Sequence, residues 1–289
     1  MKASFALHSG VGGMQSQASQ RTLVERVVRN DRIIVIASVT VIVILSAFYT
    51  VFGVGMNMTA LDMTRMARPI GEPMTMGMQP HWTAAYAVLI FLMWWVMMVA
   101  MMTPSAAPMV LLFNAVKKAG TQPPAASHLS LVFLSGYLAT WAGFSVAAAA
   151  LQWSLENVDI ADGPMMALKS RSFAGLVMIA AGLFQFTNLK RACLSHCRSP
   201  ALFLAEHSRP GIGGAFVMGA HHGLYCLGCC WALMALLFVG GIMNLYWIVG
   251  LAIYVLIEKV VPNGEVMVKV AGAALVAAGA YVLTTGLGN

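Results

Sequence analysis

Residues Gly214–Gly240 read GAFVMGAHHGLYCLGCCWALMALLFVG and contain no Asp, Glu, Lys or Arg. A helix of about 20 consecutive apolar residues crosses the hydrocarbon core of a bilayer, so this segment is long enough to span it. Six further apolar segments lie in this chain of 289 residues, which is 60% hydrophobic and 9% charged. Because a spanning backbone must satisfy its own hydrogen bonds, the sequence predicts an all-α polytopic transmembrane helix bundle of six to seven spans.

The predicted spans form one domain over residues 31–289. They are Ile33–Phe52, Thr83–Met102, Leu129–Leu151, Ser172–Leu189, Gly214–Gly240, Met243–Glu258 and Val266–Leu287. We expect a turn at Gly240–Gly241 and Asn244, with a bent helix plus a re-entrant piece as the alternative. The uncharged segment Pro104–Phe113 is expected to be re-entrant or interfacial, because its prolines break helices. Glu258–Lys259 is expected to be an interfacial ion pair, with Lys259 reaching towards water.

Charge placement predicts the orientation of these spans. Basic residues cluster beside alternate spans: Arg21, Arg26, Arg29 and Arg32; Lys117 and Lys118; Lys190, Arg191, Arg198 and Arg209; and Lys259. Basic segments favour the cytoplasmic side, which predicts a cytoplasmic N-terminus and a C-terminus on the other side. The net charge of +7 then reflects membrane orientation, and no nucleic-acid partner is expected. Residues 1–30, rich in Ser, Gln and Gly, are predicted to be a disordered cytoplasmic tail.

The segment Gly214–Gly240 also carries soft metal donors at helical spacing. Met218, His222, Cys226, Cys230 and Met234 follow one another at intervals of four, with Cys229 beside Cys230. Thiols, thioethers and imidazole suit Cu(I), with zinc as the alternative metal. A four-residue interval drifts by about 40° per step, so a subset such as His222, Cys226 and Cys229 or Cys230 would meet one ion. The competing interpretation is that the cysteines are small apolar residues of the core.

A second pair of cysteines lies at the cytoplasmic end of the fourth span. Cys193 and Cys197 are four residues apart, and Pro200 ends the helix after them. They are predicted to converge with the cysteines of the fifth span, whose start is also cytoplasmic. The cytosol keeps thiols reduced, which favours a metal site or a reactive thiol; an inverted orientation would make disulfides a competitor.

The loop between the first two spans, at about residues 53–82, is rich in methionine. It contains seven methionines from Met56 to Met78, which include Met74, Met76 and Met78, and then His81. Thioethers prefer Cu(I), so these four residues are candidate ligands of an extracytoplasmic entry site. The alternative is that the methionines anchor the loop to the membrane surface. Met93, Met97 and Met101 continue on one face of the second span, where packing against tryptophan is the competing interpretation.

Several motifs together resemble a known family. They are WWVMMVAMMTPSAAP (Trp94–Pro108), KRACLSHCRSP (Lys190–Pro200), GLYCLGCCWALM (Gly223–Met234), GIMN (Gly241–Asn244) and Glu258–Lys259. Over roughly residues 80 to 265 the chain resembles a bacterial family of unknown function described as predicted metal-binding integral membrane proteins. The resemblance implies metal binding and the bacterial inner (plasma) membrane, and it implies no particular reaction or ligand set.

The function predicted from these features is copper handling in a membrane. The protein would hold Cu(I) for delivery to, or receipt from, a soluble donor or acceptor protein, or would move it across the bilayer. One alternative is a thiol redox or electron-transfer protein that uses the five cysteines. Another is a structural assembly subunit whose polar residues only fix the packing of helices. We do not expect an enzyme.

Overall fold

A computed structural model describes most of the chain. The described residues are 32–53, 58–67, 69–71, 82–120, 126–162, 167–261 and 264–287. The predicted tail and parts of the predicted methionine-rich loop lie outside them. Within the described residues the structure is built from helices, with one pair of two-residue strands between the fourth and fifth of them. The predicted all-α fold is confirmed.

The helices, in chain order, have the following bounds. They are α1 (Arg32–Phe52), α2 (Ala60–Arg65), α3 (Ala84–Ala119), α4 (Ala126–Asn157), α5 (Arg171–Phe184), α6 (Asn188–Arg198), α7 (Pro200–His207), α8 (Gly211–Ala235), α9 (Leu237–Gly240), α10 (Leu245–Val260) and α11 (Gly264–Leu287). Strands β1 (Ala161–Asp162) and β2 (Ala167–Leu168) pair antiparallel, with Ala161 opposite Leu168.

Five stretches of the described chain are helical, long and apolar enough to cross a membrane: α1, α3, α4, α8 together with α9, and α11. A sixth is obtained if α5 and α6, which meet at an angle of 63°, form one broken span. Helix α10 has only 16 residues, fewer than the roughly 20 that a bilayer requires, so it accounts for the difference from the predicted seven. The stretch Gly211–Gly240 is the most buried of the five and therefore lies at the centre of the molecule.

The expected break at Pro104–Phe113 is wrong. Helix α3 runs without interruption for 36 residues and contains both Pro104 and Pro108. Proline is tolerated in such a helix when neighbouring side chains satisfy the backbone groups around it. The Met102 carbonyl, just before Pro104, accepts hydrogen bonds from Ser105 Oγ at 2.8 Å and from the Tyr137 hydroxyl of α4 at 3.1 Å. Helix α4 thus bonds the backbone of α3 two residues before Pro104, whereas the carbonyl that lacks a donor because of Pro104 is that of Ala100.

The predicted turn at Gly240–Gly241 is confirmed. Helix α9 ends at Gly240, and Gly241 has a φ of +89°, which glycine adopts without steric cost. The Asn244 side chain then accepts from the backbone N–H of Tyr246 at 3.0 Å and caps α10. The chain therefore reverses within four residues and returns along the core.

Helices α4 and α8 cross with their backbones in contact. A Cβ atom added to Gly219 would lie 1.8 Å from the Phe133 carbonyl oxygen, and one added to Gly223 would lie 2.8 Å from Thr140 Cβ. Small residues allow this close approach between membrane helices. As a result, side chains of α4 lie directly against the turn of α8 that contains Cys226.

Candidate metal centre

Helix α8 points three cysteines into the interior. Cys226, Cys229 and Cys230 are at most 1% exposed. Positions three and four residues apart share one face of a helix, so the three thiols lie within one turn of each other. The Cys229 and Cys230 thiols both donate to the Cys226 carbonyl, at 3.0 and 2.7 Å, and the Cys230 side chain is within hydrogen-bonding range of the other two.

Helix α6 brings the other two cysteines to the same place. The Cys197 side chain is within hydrogen-bonding range of Cys229. Cys193 lies against Gly228, where an added Cβ would be only 2.6 Å from the Cys193 sulfur. All five cysteines are free thiols. The structure therefore gathers the predicted cysteines, two from α6 and three from α8, at one crossing of helices.

A ring of polar groups surrounds Cys226. Lys259 Nζ donates to Cys226 Sγ and to Ser105 Oγ, each at 2.9 Å. Ser105 donates to the Met102 carbonyl, which also accepts from the Tyr137 hydroxyl; that hydroxyl lies 3.1 Å from Cys226 Sγ and closes the ring. A single thiol is thus held by an ammonium and a phenol. An ammonium is the natural partner of a thiolate, which is the form of cysteine that binds metals.

A buried ion pair fixes α6 to α10. Lys190 Nζ lies 2.6 Å from Glu258 Oε1, and the side chains are 0% and 2% exposed. The Arg198 side chain donates to the Glu258 carbonyl, with Nε at 2.9 Å. The expected Glu258–Lys259 pair is therefore wrong. Successive residues of a helix point about 100° apart, so Glu258 faces α6 while Lys259 faces the thiols.

His222 lies beside the thiols in an aromatic pocket. It is 3% exposed, and its ring centroid is 6.1 Å from Phe133, 5.8 Å from Tyr137 and 5.4 Å from Phe203. Its Nδ1 atom has no hydrogen-bond partner among the described residues. Tyr137 is the side chain that touches both His222 and Cys226. A ligand role of His222 remains a prediction.

The two predicted methionine ligands of α8 lie on either side of the thiols. With a rise of 1.5 Å per residue, Met218 is about 12 Å from Cys226 along the helix axis, and Met234 is about 6 Å beyond Cys230. The Met218 sulfur accepts the backbone N–H of Arg209 at 3.3 Å. Both methionines are buried.

The predicted ligands of the extracytoplasmic entry site lie outside the described residues. They are Met74, Met76, Met78 and His81. In α3 the methionines are all buried: Met93, Met97, Met98, Met101, Met102 and Met109. The first five form a methionine-rich face that ends at Met102, whose carbonyl belongs to the polar ring beside Cys226.

The thiols contact one another instead of surrounding an open centre. No group of three or more His, Cys, Asp or Glu side chains in the described residues has the geometry of a preformed metal site. Thiol and imidazole donors of this kind suit copper and zinc ions.

A comparison of the sequence with models of protein families identifies the family of this chain. The profile of PpoB2, described as a copper chaperone, matches residues 91–282, more than half of the chain. The chain belongs to the PpoB2 copper chaperone family. No curated protein and no solved structure matches the chain. The matched range contains all five cysteines and Lys259, and membership in the family supports the predicted copper handling and the resemblance to metal-binding proteins.

The polar groups around the thiols were not predicted from the sequence. The sequence predicts Lys259 at the membrane surface, and neither Tyr137 nor Ser105 is among the predicted site residues. One feature of the sequence does indicate that Lys259 has a partner other than Glu258. Adjacent residues of a helix point about 100° apart, so the two charges of Glu258–Lys259 face different surroundings.

Proposed function

We propose that the protein is a membrane-embedded copper chaperone that holds Cu(I) between thiolates at the crossing of α6 and α8. The observation that carries the proposal is the close packing of α6 on α8, where Cys193 lies against Gly228 and Cys197 packs against the buried cluster that contains Cys226, Cys229 and Cys230. Thiolate ligands from two separate helices can be brought together or moved apart by a small shift of α6. A site of this kind can release its ion as well as bind it.

Charge balance favours Cu(I) as the ion. Two thiolates and one Cu(I) carry a net charge of −1, and the Lys259 ammonium, which touches Cys226 Sγ, brings the total to zero. A buried charge without a partner is costly, so a neutral complex is the stable one. The neighbouring Lys190–Glu258 pair is already neutral and leaves this balance unchanged.

The polar ring can offset the loss of the Cys226 proton, which passes to water when copper binds. In the ring, Tyr137 donates to the Met102 carbonyl, so a Cys226 thiol donates to the Tyr137 oxygen while it accepts from Lys259. When Cys226 becomes a thiolate, rotation of the Tyr137 O–H supplies a donor to the sulfur in its place. The Met102 carbonyl keeps its bond from Ser105 meanwhile. Metal binding to thiols releases protons, and this ring limits the cost.

The membrane context of the site is also a proposal. The long apolar helices support insertion in a bilayer, and the basic residues flanking them support a cytoplasmic N-terminus. The thiols of α6 would then face the cytoplasm, where a soluble donor or acceptor protein can reach half-buried Cys193 and Cys197. The outer loop with Met74, Met76, Met78 and His81 would serve as a Cu(I) entry site, and the methionine-rich face of α3 would connect the two.

The test is Cu(I) binding by the purified full-length protein in detergent. Under anaerobic conditions, competition with a chromogenic Cu(I) chelator measures affinity and stoichiometry. We expect one high-affinity Cu(I) per chain, and a loss of affinity of at least tenfold in Cys229→Ser, because the loss of a ligand should exceed the roughly 10- to 100-fold effect of losing an outer partner.

Ser195→Ala is the matched control, since Ser195 is exposed on α6 close to Cys197 and bonds only its own helix. Retention of full Cu(I) affinity by Cys229→Ser, or equal loss in Ser195→Ala, would contradict the proposed site.

A further inference from the structure

Three histidines from three helices lie close together. His196 lies on α6, His207 on α7 and His221 on α8, and all three are half-buried. The ring centroid of His207 is 5.8 Å from that of His221 and 6.4 Å from that of His196. Tyr225 stacks on His196 at 4.2 Å with parallel rings and contacts His207 at 6.0 Å. Tyr225 therefore contacts two of the three histidines, and His207 contacts the third.

The hydrogen bonds of two of these rings select the nitrogen that remains free. His196 Nδ1 is 2.8 Å from the Ala192 carbonyl oxygen, and His207 Nδ1 is 3.2 Å from the Phe203 carbonyl oxygen. A carbonyl only accepts, so Nδ1 carries the proton in each contact and the lone pair of a neutral ring is on Nε2. Histidines that bind metals have this arrangement, in which one nitrogen donates to a backbone carbonyl and the other binds the ion.

The spacing of each of the two ring pairs that include His207 is compatible with two imidazoles on one ion. Two imidazole nitrogens at about 2.0–2.1 Å from one metal place their ring centroids roughly 5 to 6.5 Å apart. The two distances from His207 lie within that range, and the ring planes are nearly perpendicular, at 77° and 78°. The three rings do not form a preformed metal site among the described residues. His207 contacts each of the other two histidines, and binding of an ion would move His196 and His221 closer to it.

We propose that His196, His207 and His221 form a second metal site, which binds a borderline divalent cation of the Cu(II) or Zn(II) class. Imidazole suits these ions, whereas the thiols at the α6–α8 crossing select a soft monovalent ion. The two sites share α6, because His196 immediately precedes Cys197. The histidine site does not depend on the proposed Cu(I) site, since it uses none of the cysteines.

The test uses the full-length protein with all five cysteines replaced by serine, so that thiols neither bind nor reduce the probe. Electron paramagnetic resonance with one equivalent of Cu(II) should show hyperfine coupling to imidazole nitrogen. His207→Gln in this background should raise the Kd for Cu(II) at least tenfold, in line with the effect of losing a metal-supporting group. His128→Gln is the matched control, because His128 is an exposed histidine of α4.

A second measurement covers the case in which the serine-substituted chain does not fold. Zn(II) titration of the otherwise unsubstituted protein should then show one equivalent fewer in His207→Gln than in His128→Gln. Absence of nitrogen coupling, or equal divalent-ion binding by the two variants, overturns the proposal. Failure of the proposed Cu(I) site would give a different result. In that case Cys229→Ser would bind Cu(I) as the original protein does, while His207→Gln would still lose the divalent ion.

Discussion

The buried pair of Lys190 and Glu258 gives the most direct test of how α6 is held against the core. Glu258→Gln keeps the size of the side chain but removes the carboxylate 2.6 Å from Lys190 Nζ, whose side chain is 0% exposed. Breaking a buried pair by removing one partner costs about 3–5 kcal/mol, since the other charge stays buried. A cavity of about 110 Å³ borders Lys190, and a few water molecules at roughly 30 Å³ each could solvate the ammonium. We therefore expect the lower end, a loss of about 3 kcal/mol.

The assay is reversible unfolding of the purified protein in mixed micelles, with a double-mutant cycle. The double variant Lys190→Met, Glu258→Gln removes both charges and should lie within about 1 kcal/mol of the original protein or be more stable. A loss below about 1 kcal/mol in Glu258→Gln would refute the reasoning, because a buried ammonium without a partner cannot cost so little. A double variant as unstable as the single one would refute it as well, since the cost would then not come from the unpaired charge.

Two further predictions use the same unfolding assay. Gly219→Ala places a Cβ 1.8 Å from the Phe133 carbonyl oxygen, a backbone atom that cannot rotate away, so we expect a loss of about 3 kcal/mol. Gly143→Ala, which meets nothing within 4 Å, should be neutral or gain up to about 1 kcal/mol, and equal stability of the two variants would contradict the close α4–α8 crossing. Tyr137→Phe removes the hydroxyl that joins Cys226 to a backbone carbonyl of α3, which should cost about 1–2 kcal/mol. An unchanged free energy of unfolding in that variant would show that the polar ring does not stabilise the fold.

Local features of the sequence were sufficient to predict the secondary structure of the core. Apolar length alone predicts the helices, because a buried backbone must bond to itself. The turn at Gly240–Gly241 is predicted by two local features: Gly241 can adopt a positive φ, and Asn244 can cap the next helix. Helical spacing likewise places Cys226, Cys229 and Cys230 on one face, since it depends only on 3.6 residues per turn.

Contacts between helices decided the features that were predicted wrongly. Helix α3 continues past Pro104, and its Met102 carbonyl accepts from Tyr137, which lies 35 positions after Met102 in the chain. No local pattern shows that partner. Pro104 by itself favours a break.

The amino-acid sequence by itself determined that this is an all-α protein with long apolar helices and a face of thiols on α8, because length, hydropathy and helical period are local properties. Only the tertiary structure decided which side chains complete that face. Cys193 of α6 packs against Gly228 of α8, which leaves room for its sulfur, and Lys259 contacts Cys226 while the adjacent Glu258 pairs with Lys190. These partners are dozens of residues apart in the chain, and the energy of each contact depends on burial that exists only once the helices have packed.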